Sequence, residues 1–331
     1  MMKKAFWSVV VMLTALAFAG GVQAADWNLG HVRPQGAAID KDVNTFADEV
    51  KAATGGKISI KIHAASALGD YTVVQERVGV GAVQMACQPA ASAADKRFQI
   101  LFFPYLVKDF DQAKKNFAGD TPLRAEVSKL YEKQGISVLA AWPVYFGGIS
   151  LNKEPKDAGN PEAAKGLKVR VPPMKTFQLL AENIGYMATP MPFAEVFTAV
   201  QTGIVDGIIG SGAEGYYGSF RDVTKFYIPA NTHFEVWYLI INTELLAELD
   251  KADRQKLEEA AKKFESRRWE NVVADQQVYE KKLEESGAKI VTLTPEQIAK
   301  NAAIAEQKVW PEILKDVGED WGKAFLAKIV K

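Results

Sequence analysis

Arg170 stands near the end of an alternating run in which Leu167, Val169 and Val171 interleave with Lys168 and Arg170, and Pro172-Pro173 stop it. Period-two alternation marks a strand with one buried face, and proline cannot continue a strand ladder. In an α/β sheet, a guanidinium at a strand end faces the crevice where ligands bind. Its planar fork of donors suits a carboxylate or a related oxyanion. The pattern alone leaves a second role open, a charge snorkelling at a sheet edge.

Other chemistry-bearing residues are sparse. Gly210-x-Gly212-x-x-Gly215 follows an apolar run, with Glu235 about twenty residues on, which matches a dinucleotide fingerprint on spacing. The match lies mid-chain, and it reads better as a glycine loop that lets backbone approach whatever fills a cleft. His31, His63 and His233 are scattered without metal-ligand spacing, and no Gly-x-Ser-x-Gly elbow occurs. No metal, cofactor or catalytic group is expected. Asp206, between two apolar segments, reads as a turn or cap residue, and Cys87 as a small buried hydrophobe.

The 331 residues carry 40 basic and 40 acidic side chains, and 48% are apolar. This balance, with no basic run, excludes an electrostatic footprint for nucleic acid. Lys3 and Lys4, an apolar stretch from Ala5 to about Phe18, and Val22-Gln23-Ala24 form the pattern of a cleavable signal peptide over residues 1–24. The apolar stretch is shorter than a membrane span needs. A single cysteine permits no internal disulfide, and none stands at the cleavage site to take a lipid, so a periplasmic location without a lipid anchor is expected.

The elements that must position Arg170 read as an α/β chain. Ile39, Val43, Phe46 and Val50 recur at helical spacing before Gly55-Gly56, and Ile58, Ile60 and Ile62 then alternate as a strand. The segment 135–152 is extended and apolar, with Gly147-Gly148 inside, as a strand passing through a kink from one domain to another would be. Val236 to Asn242 is a second such run that would cross back. From Lys251 no proline or glycine occurs until Gly287, which predicts a helix roughly 50 Å long lying across both lobes.

The stretch from Gly166 to Gly207 resembles the signature of the solute-binding proteins of tripartite ATP-independent periplasmic (TRAP) transporters, the DctP-like family. The matching features are the Gly166-Leu167-Lys168-x-Arg170 strand, Gly185, and Ala199, Gln201, Thr202, Gly203, Asp206 and Gly207. The resemblance extends through Leu68-Gly69, "GAVQM", "FFPYLVKDFDQA" and "EESGAKIV" to the whole chain after residue 24. It implies a two-lobed α/β periplasmic-binding-protein fold with discontinuous domains, a central cleft and a long helix spanning both lobes. The boundaries expected are 25–144 with 237–276 for domain I, and 145–236 with 277–331 for domain II.

The same resemblance implies that Arg170 pairs with a ligand carboxylate, and that the partners are a small organic anion and the small and large membrane subunits of a sodium-driven transporter. It implies a monomer and no enzymatic activity. Relatives that bind sialic acid carry an arginine where this chain has Gly147. Their Asp-Gly-x-Glu-Asn-Pro run reads Asp206-Gly207-Ile208-Ile209-Gly210-Ser211 here. A small monocarboxylate or a hydroxy or keto acid is therefore the leading ligand class, with an organosulfonate as the alternative. Further candidate contacts are Arg33, Gln88, Tyr145, Phe146, Phe193, Ser211, Glu214 and His233. A periplasmic nucleotide-dependent enzyme and a receptor for an ATP-driven transporter are the competing classes.

Overall fold

A computed structural model describes residues 25–329; the signal peptide read at 1–24 lies outside them. Among the described residues, eleven strands form two sheets. The first, ordered β2-β1-β3-β10-β4, contains β1 (Ala25–Gly30), β2 (Ile58–His63), β3 (Met85–Gln88), β4 (Ile136–Phe146) and β10 (Phe234–Asn242). The second, ordered β11-β9-β5-β8-β6-β7, contains β5 (Gly148–Leu151), β6 (Lys168–Val171), β7 (Met187–Pro190), β8 (Gly207–Ser211), β9 (Phe226–Ile228) and β11 (Lys289–Ile290). Strands β1, β2 and β3 run parallel, joined through helices, while β10 is antiparallel to both β3 and β4.

Local pattern explains most of these elements. The helix Ala38–Ala53 buries Ile39, Val43, Phe46 and Val50 completely, so its apolar stripe is the face that docks on the first sheet. In β2, Ile58 and Ile60 point into the core while Lys61 stays exposed.

The chain leaves the first sheet at Gly147, where β4 ends and β5 begins. It returns in residues 229–233, between β9 and β10. Thus β10, expected to be the returning segment itself, lies wholly within the first sheet, and the crossing is made just before it. The expected boundaries at 144/145 and 236/237 fall inside β4 and β10.

The helix Lys251–Glu285 spans both lobes. Asp250 caps its start, and the chain leaves its far end through Gly287 at φ 96°. Phe264 meets Phe46 of the first lobe at 5.8 Å, and Leu283 is buried with Tyr216 and Tyr227 in the second. Between them the helix is fastened to the crossing strand. Arg268 donates to the Pro143 carbonyl at 2.7 Å, and Gln276 accepts from the Phe146 amide at 2.9 Å. The C-terminal helices also bridge the lobes: Ala305–Val309 packs on the helix Lys175–Asn183, and Trp310–Val317 packs on Lys96–Phe102. Among the described residues no helix is long and apolar enough to cross a membrane.

Candidate functional site

The cleft between the sheets is closed over a small cavity. Its volume is about 30 Å3. Each lobe contributes through the end of a strand or the start of a helix. From the first lobe come Arg33 after β1, Tyr71 at the head of the helix Tyr71–Gly79, Tyr145 on β4, and Glu235 and Trp237 on β10. From the second come Arg170 on β6, Pro172 and Met174 just beyond it, Phe177, Phe193, and Gly210 on β8.

Strand β6 is more deeply enclosed than alternation alone predicts. Lys168 is exposed as expected, but Arg170 is only 1% exposed, between fully buried Val169 and Val171. The polar face of the strand is covered because the other lobe closes on it. Arg170 donates from Nε to the Met191 carbonyl at 2.9 Å, and its guanidinium carbon lies 5.9 Å from the Phe193 ring centre. Among the described residues it makes no ion pair, and neither terminal nitrogen makes a hydrogen bond. Burial pulls its pKa down, with Tyr71 and Asp70 partly opposing that.

Arg33 is equally buried but differently partnered. Its Nε donates to Glu214 Oε2 at 2.9 Å, and its Nη2 to Ser211 Oγ at 3.5 Å. The Phe193 and Trp237 rings lie 5.0 and 4.9 Å from its guanidinium carbon. Burial works against its charge, but Glu214 and Tyr145 outweigh that and raise its pKa. The ion pair joins the two lobes.

The glycines of the apparent dinucleotide fingerprint make room for protein. A Cβ on Gly210 would lie 2.4 Å from Pro172, one on Gly212 2.4 Å from the Tyr145 ring, and one on Gly215 2.5 Å from Arg33 Nη2. The side chains that approach these glycines from the first lobe are Tyr145 and Arg33, not a ligand.

Of the residues singled out in the sequence, Arg33, Tyr145, Arg170 and Phe193 line the cavity. The others stand behind it. Gln88 donates to the Tyr71 carbonyl at 2.8 Å. Ser211 bonds Tyr145 Oη at 3.2 Å, and Glu214 holds Arg33. His233 is fully buried, with its ring 4.8 Å from Phe177 and its Nε2 3.1 Å from Glu235. Phe146 points to the opposite face of β4 from Tyr145, against Phe110 and Phe234 at 5.0 and 5.2 Å. Asp206, read as a turn or cap residue, accepts from Lys153 at 2.5 Å and from the Lys168 amide at 3.0 Å. Cys87 is buried and free, its thiol pKa pushed well up by burial.

Trp237 and Tyr71 also line the cavity, Asp70 stands beside it, and Glu235, which in the sequence fits only the acidic position of the fingerprint, forms part of its wall. Glu235 pairs in register with Tyr145, and the Trp237 indole donates to it at 2.8 Å. A lone carboxylate in the apolar run "FEVWYLIIN" was the available signal. Asp70 caps the helix Tyr71–Gly79 through Oδ1 and accepts the Phe193 amide of the other lobe through Oδ2 at 3.0 Å. Tyr71 and Tyr145 have pKa values pushed up by burial, so both present neutral hydroxyls. No group of His, Cys, Asp and Glu able to hold a metal occurs among the described residues.

Two α/β lobes joined by two chain crossings, closed on a small arginine-lined cavity, are the build of a two-lobed solute-binding receptor. The chain belongs to the bacterial extracellular solute-binding proteins, family 7 (DctP), whose family model matches residues 29–316. It is 26% identical over 337 residues to the C4-dicarboxylate-binding periplasmic protein DctP of Rhodobacter capsulatus, covering 100% of this chain and 97% of that one. The crystal structure of DctP7, a Bordetella pertussis extracytoplasmic solute receptor binding pyroglutamic acid, matches with a TM-score of 0.83 at 25% identity, covering 93% of this chain and 100% of that one. A TRAP periplasmic solute-binding protein from Haemophilus influenzae with bound L-gulonate matches with a TM-score of 0.83 at 24% identity, covering 92% and 98%. The resemblance of Gly166–Gly207 to the TRAP solute-binding signature and the whole-chain match therefore agree.

Proposed function

We propose that this protein is the periplasmic receptor of a TRAP transporter, that it captures a small organic acid by pairing its carboxylate with Arg170, and that it delivers the acid to the transporter's membrane subunits. The observation that carries this reading is the state of Arg170: buried at the cavity wall, bonded through Nε alone, and without an acidic partner among the described residues. A buried arginine is costly unless an anion pairs with it, so closure is favoured when the ligand supplies that anion. The terminal nitrogens suit the two oxygens of a carboxylate.

The walls limit what else the ligand carries. Phe102, Phe177, Phe193 and Met174 offer apolar contact, and the cavity is small. Glu235 offers a carboxylate that accepts hydrogen bonds, which suits a hydroxyl or amide N–H on the ligand. Pyroglutamic acid in the Bordetella relative and the C4-dicarboxylates of the Rhodobacter relative's name support an organic acid. Receptor function involves no chemical step, and a location in the periplasm accompanies it.

Thermal-shift screening of the chain from Ala25 against carboxylates and sulfonates, beside Arg170→Ala, tests the reading. A ligand at a thousand times its Kd adds about 4 kcal/mol of stability. Stabilisation of the wild type and not of Arg170→Ala is expected; equal stabilisation of both overturns it.

A further inference from the structure

We propose that Glu214 sets the ligand charge: by holding Arg33 in an ion pair across the cleft it leaves Arg170 as the unpaired cation among the described residues that line the cavity, and the site therefore selects monocarboxylates over dicarboxylates. This rests on the reading that the cleft binds an organic acid through Arg170. Two buried guanidiniums facing one cavity would ordinarily suit two anionic groups. Here both lie within 6 Å of the Phe193 ring centre, yet they differ in partner. Arg33 is bound by a carboxylate that is itself 2% exposed, with Ser211 Oγ as a second acceptor.

The pairing is built in from both lobes. Arg33 and Glu214 are separated by 181 positions, and the missing side chain at Gly215 leaves the space that Arg33 Nη2 occupies. Tyr145 completes the socket by bonding Ser211 at 3.2 Å. A second ligand carboxylate would have to displace Glu214 from Arg33, leaving that glutamate buried without its cation, at an unfavourable cost. The other polar wall of the cavity is also closed to it. Glu235 is a carboxylate, held by the Trp237 indole and the His233 ring, and a second anion there meets like charge. Substituting Glu214 by glutamine keeps the volume and frees the charge of Arg33.

The test compares acids matched in length, butyrate with succinate and 2-hydroxybutyrate with malate, by calorimetry on the wild type, Glu214→Gln, Arg33→Met/Glu214→Gln and Arg170→Ala. The wild type is expected to bind the monoacid of a pair at least tenfold more tightly. Glu214→Gln should lose that preference by a factor of ten or more, through a gain for the diacid. The double variant, which removes the freed cation, should not gain it. A wild type that binds the diacid as tightly as its monoacid overturns the proposal, and this result stands even if Glu214→Gln does not fold. A Glu214→Gln protein with unchanged preference overturns it too. Failure of all four acids and of pyroglutamate to bind the wild type, or equal binding by Arg170→Ala, refutes the underlying reading instead.

Discussion

Gly147 and His233 compete for one volume: a Cβ on residue 147 would sit 2.3 Å from His233 Cε1 and Nδ1, and 2.6 Å from Thr232 Oγ1. The imidazole fills the space into which a side chain at the lobe crossing would project. Any side chain larger than hydrogen at residue 147 would have to displace that ring. Two backbone bonds fix the arrangement, Gly147 N to the His233 carbonyl at 2.7 Å and Thr232 N to the Gly147 carbonyl at 2.9 Å.

Gly147→Ala is therefore expected to destabilise by about 1–3 kcal/mol, the usual penalty for overpacking a filled core. Thermal denaturation should show a melting point lowered by several degrees, and Gly147→Arg should be worse. An alanine variant that melts with the wild type would mean that His233 moves aside at little cost.

Arg170→Lys should fail almost as badly as Arg170→Ala. Lysine retains the charge and loses the fork, and truncating one side of a buried charge pair costs about 2–5 kcal/mol. That corresponds to a Kd raised by some thirtyfold to several thousandfold, read by calorimetry with whichever acid the wild type binds. Near-wild-type affinity in the lysine variant would show that charge alone is recognised.

Asp70 joins a helix start in one lobe to the Phe193 amide in the other. Asp70→Ala should lose about 1 kcal/mol from the cap. It should also weaken ligand binding, because a hydrogen bond that ties the two lobes together in the closed form is gone. Small-angle scattering with saturating ligand should show a larger radius of gyration than the wild type. Unchanged affinity and radius would leave Asp70 as a helix cap and nothing more.

Burial holds the His31 imidazole below its ordinary pKa of 6.5, with Asp40 at 3.1 Å partly opposing that. The unfolded chain then binds a proton at a pH where the folded chain does not. Stability from this residue is complete above pH 6.5 and falls as the pH drops from there towards the folded pKa. Urea melts at pH 7.5 and 5.5 should show lower stability at the acid end, and His31→Gln should shrink the difference. The same pH dependence in both proteins would assign the effect to other groups.

Sequence alone determined whatever depends on neighbours along the chain. The stripe of Ile39, Val43, Phe46 and Val50 dictated a helix, and the absence of glycine and proline after Lys251 dictated a long one. Gly147 marked the break between two strands, and Pro172-Pro173 placed Arg170 at the end of a third. These are consequences of residue spacing and backbone freedom, which act over a few positions. The resemblance then supplied the two-lobed plan and a role for Arg170.

Tertiary structure decided which charges meet. Nothing near Arg33 announces that Glu214, 181 positions away, neutralises it, or that Asp70 reaches Phe193 across 123. The register of β4 against β10 sets Glu235 beside Tyr145. Strand alternation turns Phe146 away from the cleft that Tyr145 faces. Such pairings arise where two sheets distant in sequence face one another across the cleft. Their energy comes from burial and charge compensation at the contact, which leave no periodic mark in either segment.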